Sequence, residues 1–330
     1  MPDLSGMLLV VVALALLFDF SNGWHDSANA IATVVSTRVL SPLAAVLLAG
    51  LLNVGGAFMS TAVAKMIGAG IVDPATVTQG MVASALSGAI VWNLFTLVLG
   101  LPTSSSHALI GGLVGSALVH GGWSVVKLTG LRSVLEAMVL SPLFGFAIGL
   151  VIMVLISHLF FRTPRTAATR LFSRMQMVSA GFMAFSHGAN DAQKAMGIIT
   201  LALLSAGQIS SAEVPMWVIV ACALAMGLGT AVGGWRIVRT LGMRILKLDP
   251  VHGFAAETSA AAVLLATAQI GLPVSTTHTI TSSVMGVGVV KRFSAVRWGV
   301  TARILYAWIF TLPGAALVAA LIYAGFSRFG

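Results

Sequence analysis

Two aspartates, Asp26 and Asp191, each lie inside a long apolar stretch, within matching Phe-Ser-x-Gly segments. An ionised carboxylate at the centre of a membrane helix costs about 2.5–3.5 kcal/mol unless it is paired or hydrated, so such residues usually mark the path of an ion or a substrate. A packing carboxylate that a neighbouring donor satisfies is the structural alternative. The nearby Gly23 and Gly188 predict that each helix unwinds locally and frees backbone carbonyls, which join the carboxylates as oxygen ligands for a cation.

The polar neighbours of the two aspartates differ between the segments. Asn29 and Asn190 can add amide oxygens to a cation site, and His25 directly precedes the first aspartate. Lys194 occupies the position equivalent to Asn29, where its ammonium group either offsets the charge of the second aspartate or approaches an anionic substrate. The sequence therefore predicts one site with two chemically unequal halves.

A second pair of motifs joins a proline to hydroxyl residues and a histidine, at residues 102–107 and 273–278. Hydroxyl residues are typical helix N-caps, and a helix start offers free N–H groups and the positive end of the helix dipole. Two such starts meeting within the membrane would form a neutral cage of donors for a small oxyanion. Alternatively, the hydroxyls only cap and pack helices. The cage residues are Ser104, Ser105, Ser106, Ser275, Thr276 and Thr277.

Three further titratable residues lie in these apolar regions. His107 and His278 end the two hydroxyl motifs, and each is either a hydrogen-bonded packing residue or a proton carrier. Glu257 has a leucine as its counterpart in the first half of the chain, so it is a candidate proton-linked acid. A local partner such as His252 or Thr258 would explain Glu257 equally well.

The elements that must position these residues are membrane helices. Of the 330 residues, 58 % are hydrophobic and only 8 % are charged, against about 25 % charged in a soluble domain. This composition excludes a soluble globular protein and predicts a polytopic membrane protein in a lipid bilayer. The net charge of +9 arises from basic residues in short loops, so it indicates membrane topology and not a nucleic-acid partner. The motifs of metalloproteases, serine hydrolases and P-loop enzymes are absent from the sequence, which argues against an enzyme.

Apolar runs of about 20 residues, the length that crosses a bilayer, predict six spans. They cover residues 4–35, 40–64, 136–160, 175–204, 216–234 and 304–324. Two more regions, residues 77–119 and 250–290, are divided by the proline motifs. We expect these regions to be re-entrant helical hairpins or pairs of spans, with both ends on one side of the membrane.

The chain is internally duplicated, since the aspartate motifs recur at an offset of 165 residues and the proline motifs at 171. Each half contains three crossings, so the two halves enter the membrane from opposite faces. The predicted fold is thus an all-α inverted repeat with two hairpins, the architecture of secondary transporters. Its parts are residues 1–161, a basic cytoplasmic linker at 162–174, and residues 175–330. Since 13 of the 18 basic residues fall on the linker's side and four opposite, the N-terminus is expected to be periplasmic.

These motifs resemble those of the PiT inorganic phosphate transporter family. The resemblance covers residues 22–29, 102–115, 187–197 and 273–288, which span nearly the whole chain. It implies symport of inorganic phosphate with a cation, by movement of a transport domain against a scaffold in a homodimer. By position, the family's substrate and cation sites would fall on Asp26, Asn29, Asn190, Asp191, Lys194 and the hydroxyls of both hairpin turns.

The resemblance also bears on the coupling ion. Many members read Gly-x-Asn-Asp where this chain has Gly-Trp-His-Asp at residues 23–26, and the latter form is similar to a proton-coupled bacterial branch. Because histidine is a poor sodium ligand, protons are favoured over sodium. In that branch the cargo resembles a neutral divalent metal phosphate, so a metal ion would be cargo and not a fixed cofactor. The compact form looks bacterial, which implies the inner membrane.

Three rival functions are compatible with parts of the pattern. A sulfate permease could use the same donor cage, since both oxyanions are tetrahedral. A passive anion channel could use the buried aspartates as a selectivity ring. An intramembrane hydrolase could use serine, histidine and aspartate, although a symmetric duplication is unexpected for a single nucleophile.

Overall fold

The computed structural model describes residues 6–329, and these residues are almost entirely helical. Within this range no β-strand forms, and β-pairing is limited to an isolated bridge between Val72 and Val126. Residues 1–5, which include the N-terminus predicted to be periplasmic and the start of the first predicted span, lie outside the described residues. The all-α class predicted from the sequence is confirmed.

Among residues 6–329, each half of the chain forms six α-helices. The first half contains α1 (Gly6–Ser36), α2 (Pro42–Ala57), α3 (Ala62–Gly70), α4 (Gln79–Leu99), α5 (Ser105–Gly121) and α6 (Leu128–Leu159). The second half contains α7 (Arg165–Ser205), α8 (Met216–Val232), α9 (Trp235–Arg239), α10 (Pro250–Gln269), α11 (Thr276–Lys291) and α12 (Trp298–Phe329). The last ten residues of the predicted basic linker form the start of α7, so this helix is 41 residues long.

Within residues 6–329, six helices are long and apolar enough to cross a bilayer by themselves, namely α1, α4, α5 with the short turn after it, α6, α10 and α12. Two bent helix pairs are each long and apolar enough to be one further span, or to form a re-entrant loop. Helices α2 and α3 meet at a bend of 69°, and α8 meets the segment from α9 to Arg244 at 59°. The two breaks occupy equivalent places in the two halves. The chain is therefore a multi-pass helical membrane protein.

Each proline motif lies in the turn of a helical hairpin. Gly100 and Gly271 have φ of +67° and +75°, a left-handed conformation that glycine adopts without strain, and they end the helical course of α4 and α10. The returning helices begin where the hydroxyl motifs predicted. Ser104 caps α5 by accepting a hydrogen bond from the His107 N–H, and Ser275 caps α11 in the same way. The helix starts expected from the sequence are confirmed.

The halves pack on each other reciprocally. Helix α1 packs on α8 and α7, α2 packs on α7 and α8, α5 packs on α12, and α6 packs on α11. Side chains from both halves therefore meet along α1 and α7, which carry the aspartate motifs.

The predicted unwinding of the helices at the motif glycines is wrong. Helices α1 and α7 continue through Gly23 and Gly188, so their carbonyls stay in helical hydrogen bonds. Both glycines instead permit close helix contact. A Cβ on Gly23 would overlap the Met226 carbonyl oxygen on α8, and one on Gly188 would overlap the Asn53 backbone on α2. Small size, and not backbone freedom, explains glycine at these positions.

Candidate substrate and cation site

The first aspartate receives contacts from both halves of the chain. Asp26, which is 1 % exposed, accepts hydrogen bonds from the hydroxyl of Ser105 at 3.0 Å and from that of Thr277 at 3.3 Å. The Nδ1 atom of His25 lies 2.7 Å from the Asp26 carboxylate. The starts of α5 and α11 thus converge on one carboxylate of α1.

The second aspartate has an equivalent hydroxyl partner and two cationic or titratable neighbours. Thr276, the counterpart of Ser105, donates to Asp191 at 3.1 Å. The Lys194 ammonium lies 2.7 Å from the same carboxylate, and Nε2 of His187 lies 3.3 Å from it. Of the two roles considered for Lys194, the structure therefore supports charge compensation of Asp191 directly.

The remaining site residues divide into connectors and unpartnered groups. Asn29 donates its amide hydrogens to Thr276 at 3.1 Å and Thr277 at 2.9 Å, which links α1 to α11. Ser106 donates to the Val274 carbonyl at 2.8 Å and so joins the two hairpin turns. Asn190 is fully buried, and neither atom of its amide has a hydrogen-bond partner among the described residues. Its polar atoms are available to a bound guest.

Both ring nitrogens of His25 have buried partners. Nδ1 faces the Asp26 carboxylate at 2.7 Å, and Nε2 lies 3.1 Å from the Thr96 hydroxyl. The Thr103 hydroxyl donates to that of Thr96 at 2.9 Å and lies 3.4 Å from the same ring nitrogen. His25 therefore connects Asp26 on α1 with α4 and with the first hairpin turn.

A chain of hydrogen bonds fixes the orientation of His187. The Thr230 hydroxyl donates to the Met226 carbonyl, so it accepts a hydrogen bond from the Asn53 amide nitrogen. The Asn53 amide oxygen is then free to accept a hydrogen bond from Nδ1 of His187 at 3.0 Å. Nε2 of a neutral His187 then directs its lone pair at the Asp191 carboxylate. Two facing acceptors favour a cation between them, either a proton or a metal ion.

Geometry allows one cation to contact both halves. Atoms of Asp26, His187 and Asp191 that can serve as ligands all lie within 4.8 Å of one another, and all three residues are buried. Carboxylate oxygens and an imidazole nitrogen suit divalent cations such as manganese or zinc. Sequence reasoning did not assign His187 to the site, although its position one turn before Asp191 was the available signal.

The hairpin histidines contact each other. Their rings, from His107 and His278, stack at 4.7 Å between centroids, and His278 stacks on Trp308 at 3.7 Å. Both rings line a cavity of about 400 Å³ whose other walls are mainly apolar side chains of α6 and α12. A proton-linked role for these histidines stays a prediction.

Glu257 has partners other than those considered from the sequence. Thr33 donates to its carboxylate at 2.5 Å, Gln176 donates at 3.1 Å, and Ser179 donates as well. His252 instead contacts Asp249 at 2.6 Å, so the suggestion of a local partner was wrong. Glu257 joins α10 to α1 and α7, and its proton-linked role stays a prediction.

The fold and this site define the class of the protein, a polytopic helical membrane transporter with a buried polar centre between helical hairpins. The chain belongs to the phosphate transporter family, whose model matches residues 22–319. This family consists of transporters, not enzymes. Relatives described as probable low-affinity inorganic phosphate transporters occur in Rhizobium meliloti, at 49 % identity, and Bacillus subtilis, at 45 %. Each match covers 96 % of both chains.

The fold also matches a solved structure. A protein described as the sodium-dependent phosphate transporter superposes with a TM-score of 0.92 at 26 % sequence identity. The match covers 99 % of this chain and all of the other. The overall arrangement of the described helices is thus similar to that of a known transporter.

Proposed function

We propose that the protein imports inorganic phosphate across the bacterial inner membrane as a proton-coupled symporter. The observation that carries this proposal is the convergence of both aspartates and both hairpin starts in one buried centre. Thr277 contacts Asp26 and Asn29 contacts Thr276, so the first half meets the second within the site. Membership of a phosphate transporter family favours phosphate over sulfate as the tetrahedral guest.

The anion would bind at the two helix starts. Ser105, Thr276 and Thr277 present hydroxyls there, and the amide of Asn29 and the ammonium of Lys194 lie beside them. Hydroxyl and N–H donors at a helix start suit an oxyanion, and the lysine adds a positive charge. Ser104, Ser106 and Ser275 support this arrangement through caps and the hairpin link.

Two features support protons as the coupling ion. His25 lies 2.7 Å from Asp26, and histidine is a side chain that exchanges protons but is a poor sodium ligand. At the second aspartate, the ammonium of Lys194 would repel a sodium ion next to Asp191. Asn190 and His25 then orient or exchange protons with the carboxylates instead of coordinating sodium.

Sodium coupling is the alternative that a specific observation favours. The superposed transporter is described as sodium-dependent. Buried carboxylate and amide oxygens are also suitable sodium ligands. Movement of Lys194 away from Asp191 would be required for this alternative, because the two now lie 2.7 Å apart.

A divalent metal ion can travel with the phosphate as part of the cargo. Asp26, His187 and Asp191 supply two carboxylates and one imidazole close together, and the metal ion would bind there after Lys194 has moved away from Asp191. A metal phosphate complex is neutral, which lowers the cost of moving the anion through a low-dielectric interior. In this proposal the metal ion is substrate and no resident cofactor is needed.

Transport would proceed by alternating access. The duplicated halves, residues 1–161 and 175–330 joined by the linker at 162–174, would be inverted repeats that rock about the site. The N-terminus would be periplasmic and the linker cytoplasmic, and the protein would work as a homodimer. The reciprocal packing of α5 on α12 and of α6 on α11 supports the repeat.

Reconstituted vesicles test the proposal. Labelled phosphate uptake is measured with proton and sodium gradients imposed separately, with and without manganese or magnesium ions, and against excess sulfate. We expect accumulation above equilibrium with the proton gradient alone, stimulation by the divalent ion, and little competition by sulfate. Equilibration without accumulation would identify a channel, and accumulation with sodium alone would replace the proton assignment.

A further inference from the structure

We infer that Asp19 is a second proton-exchange site, whose ionisation draws the Lys194 ammonium away from Asp191. This inference rests on the proposed function, since it concerns the coupling of proton movement to phosphate binding. It assigns a role to a residue that sequence reasoning did not single out.

Asp19 is buried without the partners that an ionised carboxylate needs. Its side chain is 0 % exposed, and neither of its oxygens accepts a hydrogen bond of regular geometry from a described residue. Asn22, one turn further along α1, is the polar side chain beside it. A buried charge without partners is costly, and a carboxyl group in such a place usually takes up a proton instead.

The neighbouring helices supply only a few groups that can respond to the charge of Asp19. The charges of Asp191 and Lys194 on α7 interact electrostatically with the Asp19 carboxyl group. The Cys222 thiol on α8 also interacts electrostatically with Asp19. Helices α2 and α4 contain no titratable residue. On α10, Glu257 bonds to Thr33, and on α11, Thr277 bonds to Asp26. Gly234, directly before α9, lies against Trp24 and His25. These contact points are at least five residues along α1 from Asp19. Among these groups Lys194 is the cation able to balance an ionised Asp19.

The duplicated sequence shows why these two residues belong together. Asp19 corresponds to Ala184 in the second half, and Lys194 corresponds to Asn29 in the first. Asp19 and Lys194 are thus charges of opposite sign, and neither has a charged counterpart in the other half. Because they also act on each other in the folded chain, they form a compensating pair across the repeat.

Proton balance gives the coupling step. When Asp19 is protonated it is neutral, and Lys194 remains with Asp191 at 2.7 Å. When the O–H bond breaks, the proton leaves to water and its electron pair stays on the carboxylate. The ammonium of Lys194 keeps its protons and moves toward Asp19, which leaves Asp191 free for a coupling cation.

A sodium site at Asp19 is disfavoured by the neighbouring atoms. Three unpartnered oxygens are present, two from Asp19 and one from Asn22, but the sulfur atoms of Met226 and Cys222 lie in the same region. Sodium is a hard cation that prefers oxygen ligands, whereas sulfur suits softer metals. A proton needs only the carboxyl group.

The test compares Asp19→Asn with Cys222→Ala, which removes the other titratable group next to Asp19. In vesicles, Asp19→Asn should accumulate about tenfold less phosphate for each unit of imposed pH difference, because one coupled proton is lost. Phosphate exchange at equal pH should stay within about twofold of wild type, a kinetic expectation from an unchanged binding site. Cys222→Ala should match wild type in both assays.

Several outcomes would overturn the inference. Unchanged proton-driven accumulation in Asp19→Asn removes it, as does loss of exchange in a folded variant, which would place Asp19 in substrate binding. A loss of sodium-driven instead of proton-driven accumulation would make it a sodium site.

If Asp19→Asn fails to fold, Asp19→Glu should retain proton-driven uptake. A folded Asp19→Glu protein without proton-driven uptake contradicts the inference. If the wild-type protein does not accumulate phosphate with a proton gradient, the proposed function itself is wrong. If the wild-type protein does so and Asp19→Asn accumulates phosphate equally well, only this inference is wrong.

Discussion

The hydroxyl of Thr277 donates to the Asp26 carboxylate at 3.3 Å, although 251 residues separate the two along the chain. Such a contact makes the binding centre a property of both halves together. A movement of α11 relative to α1 that separates these two side chains breaks this hydrogen bond. Substrate binding and the relative position of the halves are therefore physically linked.

Replacement of either aspartate by asparagine should abolish transport. Asp26→Asn and Asp191→Asn keep the shape of the side chain but remove the charge that a proton or metal ion needs. We expect at least a hundredfold loss of phosphate uptake in vesicles, corresponding to about 2.7 kcal/mol. Asp73→Asn, in the loop between α3 and α4, is the matched control and should transport normally. Wild-type uptake by either site variant would remove the cation assignment.

Loss of the paired hydroxyls should weaken phosphate binding. A Ser105→Ala, Thr276→Val double variant removes one donor from each hairpin start, and each such bond to a charged group is worth about 1.5–3 kcal/mol. The KM for phosphate should therefore rise at least about tenfold. Ser116→Ala on α5 is the control, because this hydroxyl bonds only within its own helix. An unchanged KM in the double variant would argue that the hydroxyls act as caps and packing groups alone.

Asn53 should act on transport through His187. Its amide oxygen fixes the His187 ring so that Nε2 faces Asp191. Partners that orient a ligating histidine typically contribute 10–100-fold to cation affinity, so Asn53→Ala should raise the concentration of divalent ion or proton required by about tenfold. Asn93→Ala, a buried asparagine on α4, serves as the comparison. Identical cation dependence in the two variants would contradict this role for Asn53.

The motif glycines should be intolerant of any side chain. Gly188→Ala places a methyl group against the Asn53 backbone, which cannot yield as a flexible side chain would. Overpacking of this kind costs about 1–3 kcal/mol, so the melting temperature of the purified protein should fall by several degrees. Gly325→Ala near the end of α12 meets open space and should leave it unchanged. A normal melting temperature for Gly188→Ala would mean that α2 and α7 separate easily.

The duplication made much of the fold predictable. Matching motifs at constant offsets identify equivalent helices, and the hydroxyl motifs mark the starts of α5 and α11 at Ser105 and Thr276. Local capping preferences are properties of a short segment, so sequence reveals them directly. The meeting of Asp26 with both hairpin starts followed from the expectation that symmetric motifs converge at the repeat interface.

Other features depend on contacts that no local pattern encodes. Glycine near an aspartate is compatible with an unwound turn or with close helix packing, and only the position of α8 against Gly23 decides between them. Likewise, the donors of Glu257 come from α1 and α7, far away in sequence. Asp19 carried a detectable signal, a carboxylate seven residues before Asp26 on the same helix face, but its isolation became evident only in the folded protein.

The amide of Asn29 makes the two halves of the duplicated chain unequal. It donates to two hydroxyls at once, and each of these turns its own hydrogen toward a different aspartate. Lysine at this position in both halves would bring two ammonium groups together in a medium where they repel strongly. The two halves are therefore not interchangeable, because a protein assembled from two copies of the second half would lose the amide that orders both hydroxyls.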